Sequence, residues 1–134
     1  MKHIVINNVN YIRYDKFASS YYVDFSVFPE YGFSGRSEFE ITKDEFDELM
    51  KELNKLYDKL SGTVEFRHWC DEYIRISSTD RKTGHFIVHG KIGENVLFVG
   101  CDEHPHLVFE FEVDQTELKE FIIEFGKRAA DAGK

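Results

Sequence analysis

The sequence predicts an α+β fold: a mostly antiparallel, meander-rich β-sheet with two amphipathic helices packed on one face. Three observations carry this. Many short segments alternate apolar and polar residues at period two, as strands with one buried face do. Only two segments hold an apolar face at helical spacing, Phe46–Leu60 and Leu118–Phe125. The resulting order, βββ-α-βββββ-α, joins consecutive strands by short turns rather than by crossover helices. At 134 residues the chain is long enough for a real core and is read as one domain, 1–134.

Taken in order, His3–Asn8 reads as a first short strand, and Tyr11–Tyr14 is ambiguous. Tyr21–Phe28 alternates Tyr21, Val23, Phe25 and Val27 with Tyr22, Asp24 and Ser26. Pro29 ends it, and the glycines of Tyr31-Gly32-Phe33-Ser34-Gly35 suit a turn. Ser37–Ile41 resumes the alternation and forms a hairpin with Tyr21–Phe28. Thr42-Lys43-Asp44-Glu45 fits a capping box, after which Phe46, Leu49, Met50, Leu53, Leu56, Tyr57 and Leu60 share one face. Gly62 supplies the stop. Thr63–Trp69, Tyr73–Ser78, His85–Ile92 and Val96–Cys101 then read as strands of a meander. In His106–Phe125 a strand period passes into a helix period with almost nothing between. Leu107, Phe109, Phe111 and Val113 alternate with Glu110 and Glu112. Asp114-Gln115-Thr116-Glu117 makes a second capping box for Leu118, Phe121, Ile122 and Phe125. Beyond Phe125 the tail loses its period and is expected to fray.

Acidic residues number 25 against 17 basic, a formal net charge of −8. Such a chain repels phosphate backbones, which disfavours direct nucleic-acid binding and suits a basic protein partner. No stretch approaches the ~20 apolar residues of a membrane span, and no signal peptide is evident. The cytoplasm is the expected compartment, with Cys70 and Cys101 reduced.

The chemistry-bearing residues do not assemble into a catalytic motif. His104-Pro105-His106 beside Asp102 and Glu103 has metal-binding residue types without a full ligand set, and reads as an acidic surface turn. His85 and His89 share one side of a strand. With a cysteine they would imitate a Cys–His pair, which makes a small enzyme or ligand-binding domain the alternative function, but no orienting group or oxyanion hole accompanies them. Phosphate-cradling glycine loops, GxSxG and HExxH are absent from the sequence. No cofactor or catalytic residue is expected. With both helices on one sheet face, the other face would show Glu38, Glu40, Glu65, Arg67, Trp69, Tyr73, Arg75, Glu110 and Glu112.

Several segments together resemble the WapI-type immunity proteins of bacterial polymorphic toxin systems. They are Gly32-Phe33-Ser34-Gly35 leading to Phe39, Phe46–Leu60 with Ser61-Gly62, Gly84-His85-Phe86 entering a strand, and Phe109-Glu110-Phe111 with Asp114-Gln115-Thr116-Glu117-Leu118. The resemblance spans Gly32 to Phe125 and its motifs are structural. It implies a small cytoplasmic inhibitor, of the kind found in contact-dependent growth inhibition. Such a protein binds the C-terminal domain of a cognate secreted toxin, often a basic nuclease, and occludes its active or substrate-binding surface. The acidic residues best suited to that contact are Glu38, Glu40, Asp71, Glu72, Asp102, Glu103, Glu110 and Glu112.

Overall fold

The period-two segments are strands in the computed structural model, which describes residues 3–134 apart from 30, 31, 33, 69–71, 80–83 and 94–105. The described elements are β1 (Ile4–Arg13), β2 (Ser19–Val27), β3 (Gly35–Thr42), α1 (Lys43–Lys59), β4 (Thr63–Arg67), β5 (Tyr73–Ser78), β6 (His85–Gly93), β7 (His106–Asp114) and α2 (Gln115–Ala132). The strand expected at Val96–Cys101 and the acidic turn at Asp102–Pro105 lie outside the described residues, as do Trp69, Cys70 and Asp71.

The α+β class and the antiparallel meander hold, but the expected single sheet is two. Strands β1-β2-β3 form one and β4-β5-β6-β7 the other. The division falls where α1 interrupts the meander, so β3 and β4 do not continue one ladder. The ambiguous Tyr11–Tyr14 segment largely belongs to β1, which runs on to Arg13 with a register shift between Ile6 and Asn8. The two sheets are in close contact at the start of β3. A side chain at Gly35 would bring its Cβ to 2.9 Å from Leu107 Cδ2 and 3.1 Å from Ile92 Cδ1.

The inward residues of both sheets and both helices form one core. Phe25 on β2 is its centre. Its ring lies 5.6 Å from Phe39, 5.7 Å from Phe66, 6.4 Å from Phe121 and 5.8 Å from Phe125, rings drawn from three further elements. Each fully buried ring of this kind stabilises the fold by about 1.5–3 kcal/mol relative to exposure. Helix α1 packs on β2, β3, β4 and α2, while α2 also packs on β1 and β7. Phe46 of α1 meets both Tyr21 at 4.8 Å and Phe125 at 5.3 Å.

Both helix starts follow the sequence. Thr42 accepts the Glu45 N–H at 3.2 Å, and its hydroxyl donates to the Glu45 carboxylate at 2.9 Å. Asp114 accepts the Glu117 N–H at 2.8 Å. The C-terminus departs from expectation. Instead of fraying after Phe125, α2 continues to Ala132, because Ala129 is buried in the core and Ala132 packs against it. Gly126 contributes by letting α2 approach Met50 of α1: a Cβ there would lie 3.3 Å from its terminal methyl. No helix among the described residues is long and apolar enough to cross a membrane.

Candidate interaction surface

With the inner faces committed to the core, the outer faces of the two sheets carry the polar chemistry. Register places it in rungs. Across the four-stranded sheet, one rung is Glu65, Arg75, His89 and Glu110. The next is Arg67, Tyr73, Lys91 and Val108, and a third is Thr63, Ser77, Ile87 and Glu112. Glu65 pairs with Arg67 at 2.7 Å and with Arg75 at 3.3 Å. The two guanidinium groups lie 5.6 and 5.1 Å from the centre of the Tyr73 ring, so the tyrosine is held between cations.

The two histidines behind the alternative reading are held by different groups. The Tyr73 hydroxyl hydrogen-bonds His89 Nδ1 at 2.9 Å, with the rings stacked, while His85 Nδ1 lies 3.0 Å from the Glu112 carboxylate. They share a strand face, as their spacing requires, with the Ile87 rung between them. Each is tied within the ladder, and among the described residues no group of three His, Cys, Asp or Glu side chains could hold a metal ion.

The outer face of the three-stranded sheet is built differently. Asp24 stands opposite Glu38, a like-charge pairing that is relieved by Arg36. The Arg36 guanidinium grips both carboxylate oxygens, with Nε at 2.9 and 3.0 Å, and Asn7 donates to the same group at 3.2 Å. Hydrogen bonding to Arg36 holds the Asp24 carboxyl below the usual carboxylate range, against the opposing pull of partial burial. Further along, the Tyr14 hydroxyl bonds that of Tyr22 and reaches Glu40 at 3.3 Å. The bond to Tyr14 raises the Tyr22 pKa above that of a free tyrosine.

The acidic residues anticipated from sequence separate into three groups. Glu38, Glu40, Glu110 and Glu112 point outward, two on β3 and two on β7, which among the described residues are edge strands of different sheets. Asp71, Asp102 and Glu103 lie outside the described residues. Glu72 is a correction: only 4 % exposed, it faces inward and accepts the Ser37 hydroxyl at 3.0 Å. Its carbonyl also accepts the His68 N–H at 2.9 Å. His68 stacks on Phe39 and its Nδ1 accepts the Glu40 N–H at 3.3 Å, so these groups link β3 to the end of β4 where the ladders part. Burial lowers the His68 pKa, opposed by the neighbouring carboxylates of Glu72, Glu40 and Glu38.

The sequence reading passed over the β1–β2 hairpin tip. There Phe17 is 88 % exposed, with Tyr14 at 55 % and Ile12 at 43 % close by in the chain. The available signal was an aromatic residue set in a polar turn, Asp15-Lys16-Phe17-Ala18-Ser19. A cleft of about 580 Å³ opens at the foot of the tip, with Tyr14, Phe17, Glu40 and Lys43 among its walls.

Comparison with curated proteins and with solved structures returned no match. Comparison with protein families matched residues 22–128 to the immunity protein WapI-like family, a span running from β2 into the last turns of α2. That match covers most of the chain and encloses the segments singled out from sequence. The chain therefore belongs to the WapI-like immunity protein family.

Proposed function

We propose that this protein binds the C-terminal domain of a cognate secreted toxin, a basic nuclease-like domain of a polymorphic, contact-dependent system, and neutralises it by occlusion. Family membership is the observation that carries the reading, since it supports an immunity role. The acid excess of −8 supports the electrostatic half of it. A negatively charged surface steers a basic partner into encounter and then competes with the phosphates that partner would bind. The inhibitor needs no chemistry of its own. It acts in the cytoplasm of the cell that makes it, one molecule per toxin domain.

The acidic contact surface in this reading comprises Glu38, Glu40, Glu110 and Glu112, with Asp71, Asp102 and Glu103. Glu72 is left out because its carboxylate is buried against Ser37. Co-expression with the toxin domain encoded beside this chain tests the proposal. Growth should be rescued and the two proteins should co-purify, and failure of both overturns the assignment. The association rate should fall steeply with added salt, because exposed charges are screened within about 10 Å at 0.1 M ionic strength.

A further inference from the structure

Helix α1 joins the two sheets and packs on both β3 and β4, which among the described residues are edge strands. The gap between those strands is bridged at one point, where His68 Nδ1 accepts the Glu40 N–H at 3.3 Å and the His68 ring stacks on Phe39. On the α1 side of that bridge the gap opens into a notch of about 290 Å³. Ile41, Leu49 and Phe66 are buried and form its floor, while Glu45, Glu65 and Arg67 form its walls. The volume falls below the roughly 300–1,000 Å³ of small-molecule pockets and suits one long side chain.

Charge gathers beside this notch. Residues 38–48 carry six acidic side chains against one lysine, a net −5 in a chain whose total is −8. Glu38, Asp44, Glu45, Asp47 and Glu48 of that run are exposed, and its one cation, Lys43, is paired with Asp47 at 2.6 Å. The outer face of the four-stranded sheet has no such excess, since its rungs set Arg67, Arg75 and Lys91 against Glu65, Glu110 and Glu112. Within the notch, Glu65 is already shared by Arg67 and Arg75. Glu45 accepts the Thr42 hydroxyl at 2.9 Å and makes no ion pair among the described residues. An apolar floor below an uncompensated carboxylate matches a side chain with a methylene stem and a cationic head.

We infer that the notch between β3 and β4 receives a lysine or arginine side chain of the toxin domain, its stem on Ile41, Leu49 and Phe66 and its cation against Glu45. The inference rests on the toxin-binding reading above and deepens it, naming the contact and the basic group that fills it. The acidic run from Glu38 to Glu48 then faces the toxin, and its charge complements that of a basic partner.

The test measures the affinity of the full chain for the toxin domain encoded beside it, for wild type, Glu45→Gln, Glu45→Arg and Glu124→Arg. Glu124→Arg makes the same charge reversal at an exposed position of α2, which contributes nothing to the notch. Glu45→Gln should keep the wild-type melting temperature, because glutamine also completes a capping box, and should bind about 10-fold more weakly. Glu45→Arg fills the notch with the chain's own guanidinium and should cost about 100-fold or more, with Glu124→Arg within about 3-fold of wild type. A double-mutant cycle of Glu45→Gln with each Lys→Met or Arg→Met variant of the toxin domain should find one position coupled by about 10-fold or more. Equal losses for Glu45→Arg and Glu124→Arg, or no coupled position, overturn the notch and leave the immunity reading standing. Failure of wild type itself to bind overturns both. A wild-type dimer in light scattering that Glu45→Arg converts to monomer would make the notch a contact between copies of this chain and overturn the inference.

Discussion

Replacing Gly90 by Ala tests the packing of the four-stranded sheet against the core. Gly90 lies on β6 opposite Ile74 of β5 and Phe109 of β7, and the Phe109 ring fills the space a side chain would take. A Cβ there would come within 2.4 Å of Phe109 Cζ and 2.7 Å of the Tyr73 carbonyl oxygen. The ring cannot simply turn away, since it is 4 % exposed and stacks on Phe111 at 5.8 Å. The carbonyl belongs to β5, so moving it disturbs the β5–β6 ladder. Alanine would otherwise favour the strand by roughly 0.5–1 kcal/mol through reduced chain entropy. The overlap outweighs that, and the net loss should be about 1–3 kcal/mol, the range for overpacked cores. For a chain of this length that is a fall in melting temperature of roughly 4–12 °C, followed by circular dichroism. The cause is checked by a double-mutant cycle with Phe109→Leu. Shortening the ring should relieve part of the Gly90→Ala cost, giving a coupling of at least about 0.5 kcal/mol. Wild-type stability for Gly90→Ala, or strict additivity in the cycle, would refute the argument.

Three further outcomes follow from the same geometry. Asp114→Ala should destabilise by about 1 kcal/mol in urea unfolding, because the Glu117 N–H loses its cap, while toxin neutralisation is retained. Burial depresses the His68 pKa in the fold, so as pH falls below the unfolded value near 6.5 the unfolded chain takes up a proton that the fold resists. Stability should decline from that pH downward, and His68→Gln should flatten the decline in a series of urea midpoints. For Asp24 the depressed carboxyl contributes stability that is present above its ordinary value of 3.8 and lost as pH falls through the folded value. Arg36→Met should raise the Asp24 titration, read by carboxyl NMR shifts, and shrink that acid-side loss.

Much of the fold is legible because it is local. Thr42 and Asp114 announce their helices through side chains that bond N–H groups three residues on, and period-two alternation assigns inward faces that the core confirms. The separation into two sheets was not legible, since it depends on which strand edges meet after α1 is interposed. The reach of α2 was missed because Ala129 and Ala132 are small, and only packing against the core reveals their buried side. Glu72 reads as a surface acid among Asp71 and Tyr73. Its inward turn depends on a partner 35 residues away, the Ser37 hydroxyl. Phe17 sits in a polar turn, and only the hairpin geometry shows its ring standing in solvent.

Inhibition by stoichiometric occlusion is tested by titrating the purified toxin domain's activity with this protein. Activity should fall linearly and vanish near one equivalent, with the toxin released active when the complex is separated in denaturant and the toxin refolded. Loss of activity at far below one equivalent, or a toxin recovered in chemically altered form, would reveal a catalytic inhibitor and rule out occlusion.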